Sequence, residues 1–393
     1  MTGLATQIGS RQIKSRTGLW LGVSVVAGLA CAAIGFSSPG AFWSGYLVAA
    51  IFWMSISTGC LAIALVHGVS GGRWGRFIGR PLHSGINTHF FALLACWVTA
   101  LGASYVFPWA GSEAQQAVLN PHQKIWLAPT TVAIRFAAIC AIWLFYGIWL
   151  NRRYPQDAQD PLSEVTQAPA AFGILLFFIS YSIVAIDFMM SLSPAWSSSM
   201  YPLIRIMNCA VAGLAFCSII QNSRLTSPTQ EQLDRVLDIG NLLQAFNLLW
   251  TYVSFSQYIL IWTGDIAGEV QWFIDRRSPF WLAMAYVLFA LHFAVPFLLL
   301  LSRNVKRGLK WQSGVSAILL AMCLLDIAWT LLPSIPVPTL PAVLSTCAAT
   351  LAIGGIWMIV FLRSFNTLPD MAMEDDEHAA AHHAIHPIPG DSL

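Results

Sequence analysis

Nearly uncharged apolar runs of about twenty residues recur along this 393-residue chain, and they leave it few folds. The hydrocarbon layer of a bilayer is ~30 Å thick and an α-helix rises ~1.5 Å per residue, so each run is long enough to cross it. Inside that layer backbone N–H and C=O groups find no water, and a helix satisfies them within its own segment. Ten spans are read, at 18–36, 43–66, 88–107, 128–150, 170–191, 201–221, 240–262, 280–301, 311–332 and 340–362. Only 10% of the residues are charged, against ~25% in a soluble domain. The expectation is an all-α polytopic membrane protein of ten transmembrane helices. Spans two to five (43–191) and six to nine (201–332) are read as two four-helix bundles, with the first and last helices peripheral. Residues 1–17 read as an N-terminal segment without the apolar core of a cleaved signal peptide. Residues 363–393 read as an acidic tail, His-rich at His378, His382, His383 and His386 and disordered, because nothing apolar there folds it.

Basic residues give the spans a direction. With alternating spans, fifteen of the twenty Lys and Arg fall on one side, and only Lys124, Arg276 and Arg277 on the other. The positive-inside rule places the fifteen, and both termini, in the cytoplasm. The loop SPTQEQLDRVLDIG before span seven reads as an interfacial helix capped by Ser227, with Pro228 in its first turn.

Polar residues inside the spans carry the functional signal. A charge at the centre of a membrane helix costs ~2.5–3.5 kcal/mol on insertion scales, so each needs a partner or a role. Four stand out in the outer half: Arg135, Asp187, Arg205 and Asp326. Asp187 and Arg205 lie on consecutive spans joined by a short turn and are expected within reach of each other. Such acids and bases form either a structural ion-pair network or a proton or quinol site. In span seven, Gln244, Asn247, Thr251, Ser254 and Tyr258 follow one another at steps of three and four, which puts them on one helical face. Asp238 precedes this stripe and Asp265 follows it. Interhelical hydrogen bonding and proton conduction need the same groups. Span seven then leaves the membrane through the turn Trp250–Arg277, where Asp265, Glu269 and Asp275 cluster.

His292 is the histidine nearest mid-membrane, and Pro296 one turn on is expected to kink span eight. His89 is read as lying in the outer part of span three, so no matched pair of axial histidines for a haem is expected. All eight cysteines fall in apolar runs without CxxC or CxxCH spacing, which argues against a cluster or an attached haem. No metal motif, phosphate loop or nucleic-acid-binding pattern is legible.

Several stretches together carry a resemblance. They are HQKIWLAPTTVAIRF (122–136), AIDFMMSLSPAWSSSMY (185–201), LDIGNLLQAFNLLWTYVSFSQYILIWTGDIAGEVQWFIDRR (237–277), HFAVPFLLLLSRNVKRGLKW (292–311) and LLDIAWTLLPS (324–334). In this order they resemble the NrfD-like, polysulfide-reductase-type membrane subunits, and in particular the ActF-type subunits of bacterial alternative complex III. The resemblance implies ten helices holding two four-helix bundles in a bacterial inner membrane. It implies a subunit of a respiratory complex that oxidises quinol and passes electrons to cytochrome c or a terminal oxidase. The chain itself would bind no redox cofactor other than a quinol. Haem c and iron–sulfur clusters would reside in partner chains: multihaem and monohaem cytochrome c subunits, an iron–sulfur subunit and a quinol-binding NrfD-like subunit. Two other readings of the same residues are a self-contained secondary transporter and a purely structural scaffold.

Overall fold

The computed structural model of the chain describes residues 2–154 and 164–370, with side chains for 17–154 and 167–370. The His-rich tail beyond Asp370 lies outside the described residues. Long helices stand where the apolar runs are. They are α1 (Thr2–Ser37), α2 (Pro39–Ser70), α3 (Gly79–Val106, in several short segments), α4 (Pro129–Arg153), α5 (Glu164–Phe188), α6 (Tyr201–Asn222), α7 (Gln230–Gly264), α8 (Pro279–Leu301), α9 (Leu309–Leu331) and α10 (Thr339–Thr367). Nine of them are long and apolar enough to cross a membrane, and no strand occurs among the described residues. The protein is an all-α polytopic membrane protein. The exception is α7, long enough at 35 residues but diluted by its Gln, Asn, Thr and Ser. It begins at a capping box of Thr229 and Gln232, not at Ser227, and the expected separate interfacial helix is its first turns.

Burial explains the arrangement. Helix α2 is apolar on every side and almost wholly buried, as a helix without an outer polar face must be. It packs on α3, α5, α6 and α10. With α3, α4 and α5 it forms the first bundle, while α6, α7, α8 and α9 pack together as the second. Helices α1 and α10 pair with each other against α2. The bundles meet where α2 crosses α6. There Gly59 and Gly213 let two backbones touch: a Cβ on Gly59 would stand 1.9 Å from the Cys209 carbonyl oxygen, and one on Gly213 2.6 Å from the Gly59 carbonyl carbon. Without lipid-phase hydrophobic drive, such small-residue contacts are what bring membrane helices together. Seven of the eight cysteines are buried and unpaired, filling helix contacts, whereas Cys347 is exposed.

Helix α8 does not break at Pro296. An α segment to Leu288 passes into a π turn, Phe289–Ala294, and then into Val295–Leu301. Proline has no N–H to give the carbonyl four residues back, which belongs to His292. That carbonyl instead accepts a hydrogen bond from Asn247 Nδ2 on α7 at 2.9 Å. The expected kink is taken up as one widened turn, held from the neighbouring helix.

Several loop arginines collect at one end of the molecule, below called the basic end. Arg73 and Arg235 both pair with Glu231, at 2.6 and 2.7 Å, Arg307 with Asp234, and Arg80 and Arg224 with Asp370. The Glu231 carboxylate is held below its usual range, first by the hydrogen bond from Arg235.

The Gly59–Gly213 crossing yields a test. Gly213→Val should lower stability by about 1–3 kcal/mol or more through overpacking. Gly22→Val, on α1 with nothing within 4 Å of its added Cβ, should not. Thermal unfolding of the two variants in detergent measures the difference.

Candidate functional site: two buried ion pairs

Asp187 closes α5 and is buried. Arg135 of α4 grips one of its oxygens through Nε at 3.0 Å and Nη2 at 2.8 Å. The Trp126 indole donates to the other oxygen at 2.9 Å. Trp126 belongs to the short helix Pro121–Trp126, begun by an Asn120–Gln123 capping box. Its backbone carbonyl accepts from Arg135 Nη1 at 2.9 Å, and its ring lies 4.1 Å under the guanidinium. The expected Asp187–Arg205 contact is therefore not made. Asp187 faces α4 within the first bundle, and Arg205 faces α9 within the second. Beside the first pair opens a cavity of about 690 Å³. Its wall mixes polar and apolar groups, among them Asn120, Gln123, Trp126, Arg135, Met190 and Trp196.

The second pair is deeper. Arg205 Nη2 donates to Asp326 Oδ2 at 2.6 Å, with both side chains at most 5% exposed. Asn208 Nδ2 donates to the same oxygen at 2.8 Å. Asn208 follows Arg205 by one turn and so reaches the same partner; in this span the sequence draws attention to the charge of Arg205 and not to the neutral amide beside it. The two pairs join all four charges picked out from the sequence, in a different pairing.

Helix α7 runs beside the second pair, and the structure rotates its stripe. Asn247 is buried and Ser254 is half-buried with its Oγ inward. Gln244 and Thr251 are half-buried at the edge, and Thr251 bonds back to the Asn247 carbonyl at 2.9 Å. Tyr258 is 46% exposed and packs edge-on against Phe273. The inward line is Asn247, Trp250, Ser254 and Gln257. Gln257, not singled out from the sequence, is buried and accepts a hydrogen bond from Ser198 at 3.2 Å. Asp238 and Asp265 are exposed, and between Asp238 and Asn247 the buried positions are Ile239, Gly240 and Leu243. A continuous polar path from Asp238 to Asp265 is not formed.

His292, in the π turn, is fully buried and stacked on Trp250 with ring centroids 3.7 Å apart. Neither ring nitrogen has a partner, nor do Asn247 Oδ1, Ser254 Oγ and Arg205 Nε, while the Trp250 indole N–H is directed at Asp326. His89 is also buried, but its place is corrected. Helix α3 starts at Gly79 on the basic end, so His89 lies toward that end, in the first bundle and edge-on to Trp143. It does not face His292. No group of three or more metal-ligating side chains occurs among the described residues.

At the far end of α7, Asp265 is the C-cap in the left-handed conformation, φ 45°. Glu269 sits in the first turn of the helix Ala267–Ile274, where the helix dipole favours an acid. Arg276, counted in the sequence as a loop charge, is buried without a carboxylate. It donates to the carbonyls of Trp272, Trp329 and Thr330 and to Ser334 Oγ, and its guanidinium lies 3.4 Å over the Trp272 ring. Burial pulls its pKa down to about 9, still high enough to keep the cation at neutral pH. It bolts the Trp-rich turn to the end of α9.

Compared with protein-family models and with curated proteins, the chain matches none.

Removing one partner of a buried pair leaves a naked charge, which costs about 3–5 kcal/mol; replacing both by apolar groups costs far less. Asp326→Leu should therefore unfold at a clearly lower temperature than Arg205→Met/Asp326→Leu, measured on the purified protein in one detergent.

Proposed function

We propose that the protein is an integral membrane subunit of a quinol-oxidising respiratory complex, similar to the ActF-type subunits of alternative complex III. In this reading it scaffolds the complex, handles protons and carries no redox cofactor of its own. Electrons run through haem and iron–sulfur partner chains to cytochrome c or a terminal oxidase. The membrane is a bacterial inner membrane, with the basic end and both termini in the cytoplasm. The single observation that carries the reading is the cavity of about 690 Å³ beside Asp187 and Arg135. A quinol presents a flat apolar ring with two hydroxyls. The cavity offers Trp126, Trp196 and Met190 for the ring and Asn120, Gln123 and Arg135, the base of the ion pair, for the hydroxyls.

In this scheme the carboxylate, held by three hydrogen bonds, orients the polar wall and receives a proton when the pair opens. The second bundle, with its own buried pair and the inward line of α7, supplies the place for proton handling away from the cavity.

Two measurements test the reading. Mild-detergent purification should bring down haem-bearing chains and quinol oxidation activity. A chain that elutes alone without haem absorbance would instead favour the secondary transporter. Ser197→Trp, which fills the cavity without touching the ion pair, should slow quinol oxidation roughly 10–100-fold in an intact complex. Unchanged turnover would leave the scaffold role alone.

A further inference from the structure

Five buried polar atoms without protein partners lie beside the Arg205–Asp326 pair. They are Arg205 Nε on α6, Asn247 Oδ1 and Ser254 Oγ on α7, and both nitrogens of His292 on α8, while the Trp250 indole N–H is directed at the Asp326 carboxylate. Other unpartnered buried atoms within the helices, His89 Nε2, Ser316 Oγ and Thr350 Oγ1, are scattered. A buried polar group without a hydrogen bond has given up its hydration for nothing, so native structures place waters at such groups. Five in one place match the partner set of about two internal waters, each making roughly three hydrogen bonds.

We propose that these atoms line a water-filled proton-exchange site in which His292 is the relay, open only toward the end opposite the basic loops. The inference rests on the proton-handling part of the function proposed above. The relay needs no net charge on the ring. A water gives a proton to the unprotonated imidazole nitrogen, and the proton on the other nitrogen leaves to a second water. The imidazole ends neutral in its other tautomer. Both nitrogens must be hydrated for this, and both lack a protein partner. Trp250 stacked at 3.7 Å blocks rotation of the ring through the perpendicular, so the tautomer resets through the waters and not by a ring flip. Pro296 builds the site: it frees the His292 carbonyl, Asn247 Nδ2 takes that carbonyl, and the amide oxygen of Asn247 is thereby turned toward the cluster. The charged group that acts on the ring is Arg205 from α6, with Tyr201 of α6 and Asp326 and Cys323 of α9 grouped about that guanidinium, and α7 contributes no titratable group. Asp326 is engaged by Arg205, Asn208 and the Trp250 indole, which leaves the imidazole as the mobile group.

Direction follows from what stands above and below. Toward the far end the polar line continues through Ser254 to Gln257 and Ser198. Toward the basic end Leu243, Leu300 and Leu319 are fully buried and close it.

The test uses the full chain in its native assembly, with 15N-labelled histidine in nanodiscs, and solid-state NMR transfer from water to imidazole. Both nitrogens of His292, assigned by their loss in His292→Phe, should contact water and exchange deuterium. Ser254→Leu/Gln257→Leu should abolish that exchange with the thermal midpoint retained, whereas Leu243→Ser should leave it in place. Absence of water at either nitrogen in the unmodified protein, or exchange untouched by the double leucine variant, overturns the proposal. So does turnover-linked proton release that persists in an assembled His292→Phe complex. If no redox chains co-purify, the respiratory reading falls while the water contacts still decide this one.

Discussion

A charge inside a hydrocarbon layer has to find its counter-charge there, and this requirement organises both bundles. Arg135–Asp187 ties α4 to α5, and Arg205–Asp326 ties α6 to α9. Each pair also recruits neutral donors, Trp126 in one and Asn208 in the other, because a single guanidinium leaves carboxylate lone pairs over. Pairs of this kind add little to stability relative to apolar packing, but they forbid other registers. A helix rotated by one position would expose a bare charge to lipid. The pairs therefore fix rotation, while the Gly59–Gly213 contact fixes separation.

Arg276 shows the same requirement met without an acid. Three carbonyls, a hydroxyl and the face of Trp272 replace the counter-ion. Carbonyls near the end of α9 carry the negative end of its dipole, so the cation sits where the helix field favours it. The turn after α7 is thus anchored by a cation reaching into the protein, while Asp265 and Asp275 stay at its surface.

The fold was legible because span length and hydropathy are local properties of the chain. Nine apolar spans, the one-sided basic loops and the four intramembrane charges all follow from composition at each position. What was not legible depends on which helices become neighbours. Asp187 and Arg205 are close along the chain, so proximity suggested pairing them. The bundle boundary runs between α5 and α6 and gives each a nearer partner. The stripe on α7 was found with the right period but the wrong centre. From Ser254 a step of four leads to Tyr258, which faces outward, whereas a step of three leads to Gln257, which is buried. Trp250 lies on the same face, with its indole N–H directed at Asp326, a polar end that a count of hydroxyls and amides does not register.

Pro296 joins these threads. As a sequence feature it predicted a bend; in the structure it makes an unbonded carbonyl, and the consequence depends on the helix next door. With a leucine at 247 the His292 carbonyl would be orphaned in an apolar interior, a loss that destabilises by ~1–3 kcal/mol. Asn247 removes that loss with its amide nitrogen, but an amide cannot present its nitrogen without its oxygen. The oxygen is left buried beside His292, and the polar interior of the second bundle grows from there: one missing N–H on α8 requires a polar residue on α7, whose other atom then requires water. A backbone defect tolerated only because a neighbour repairs it is also the route by which a membrane interior becomes wet.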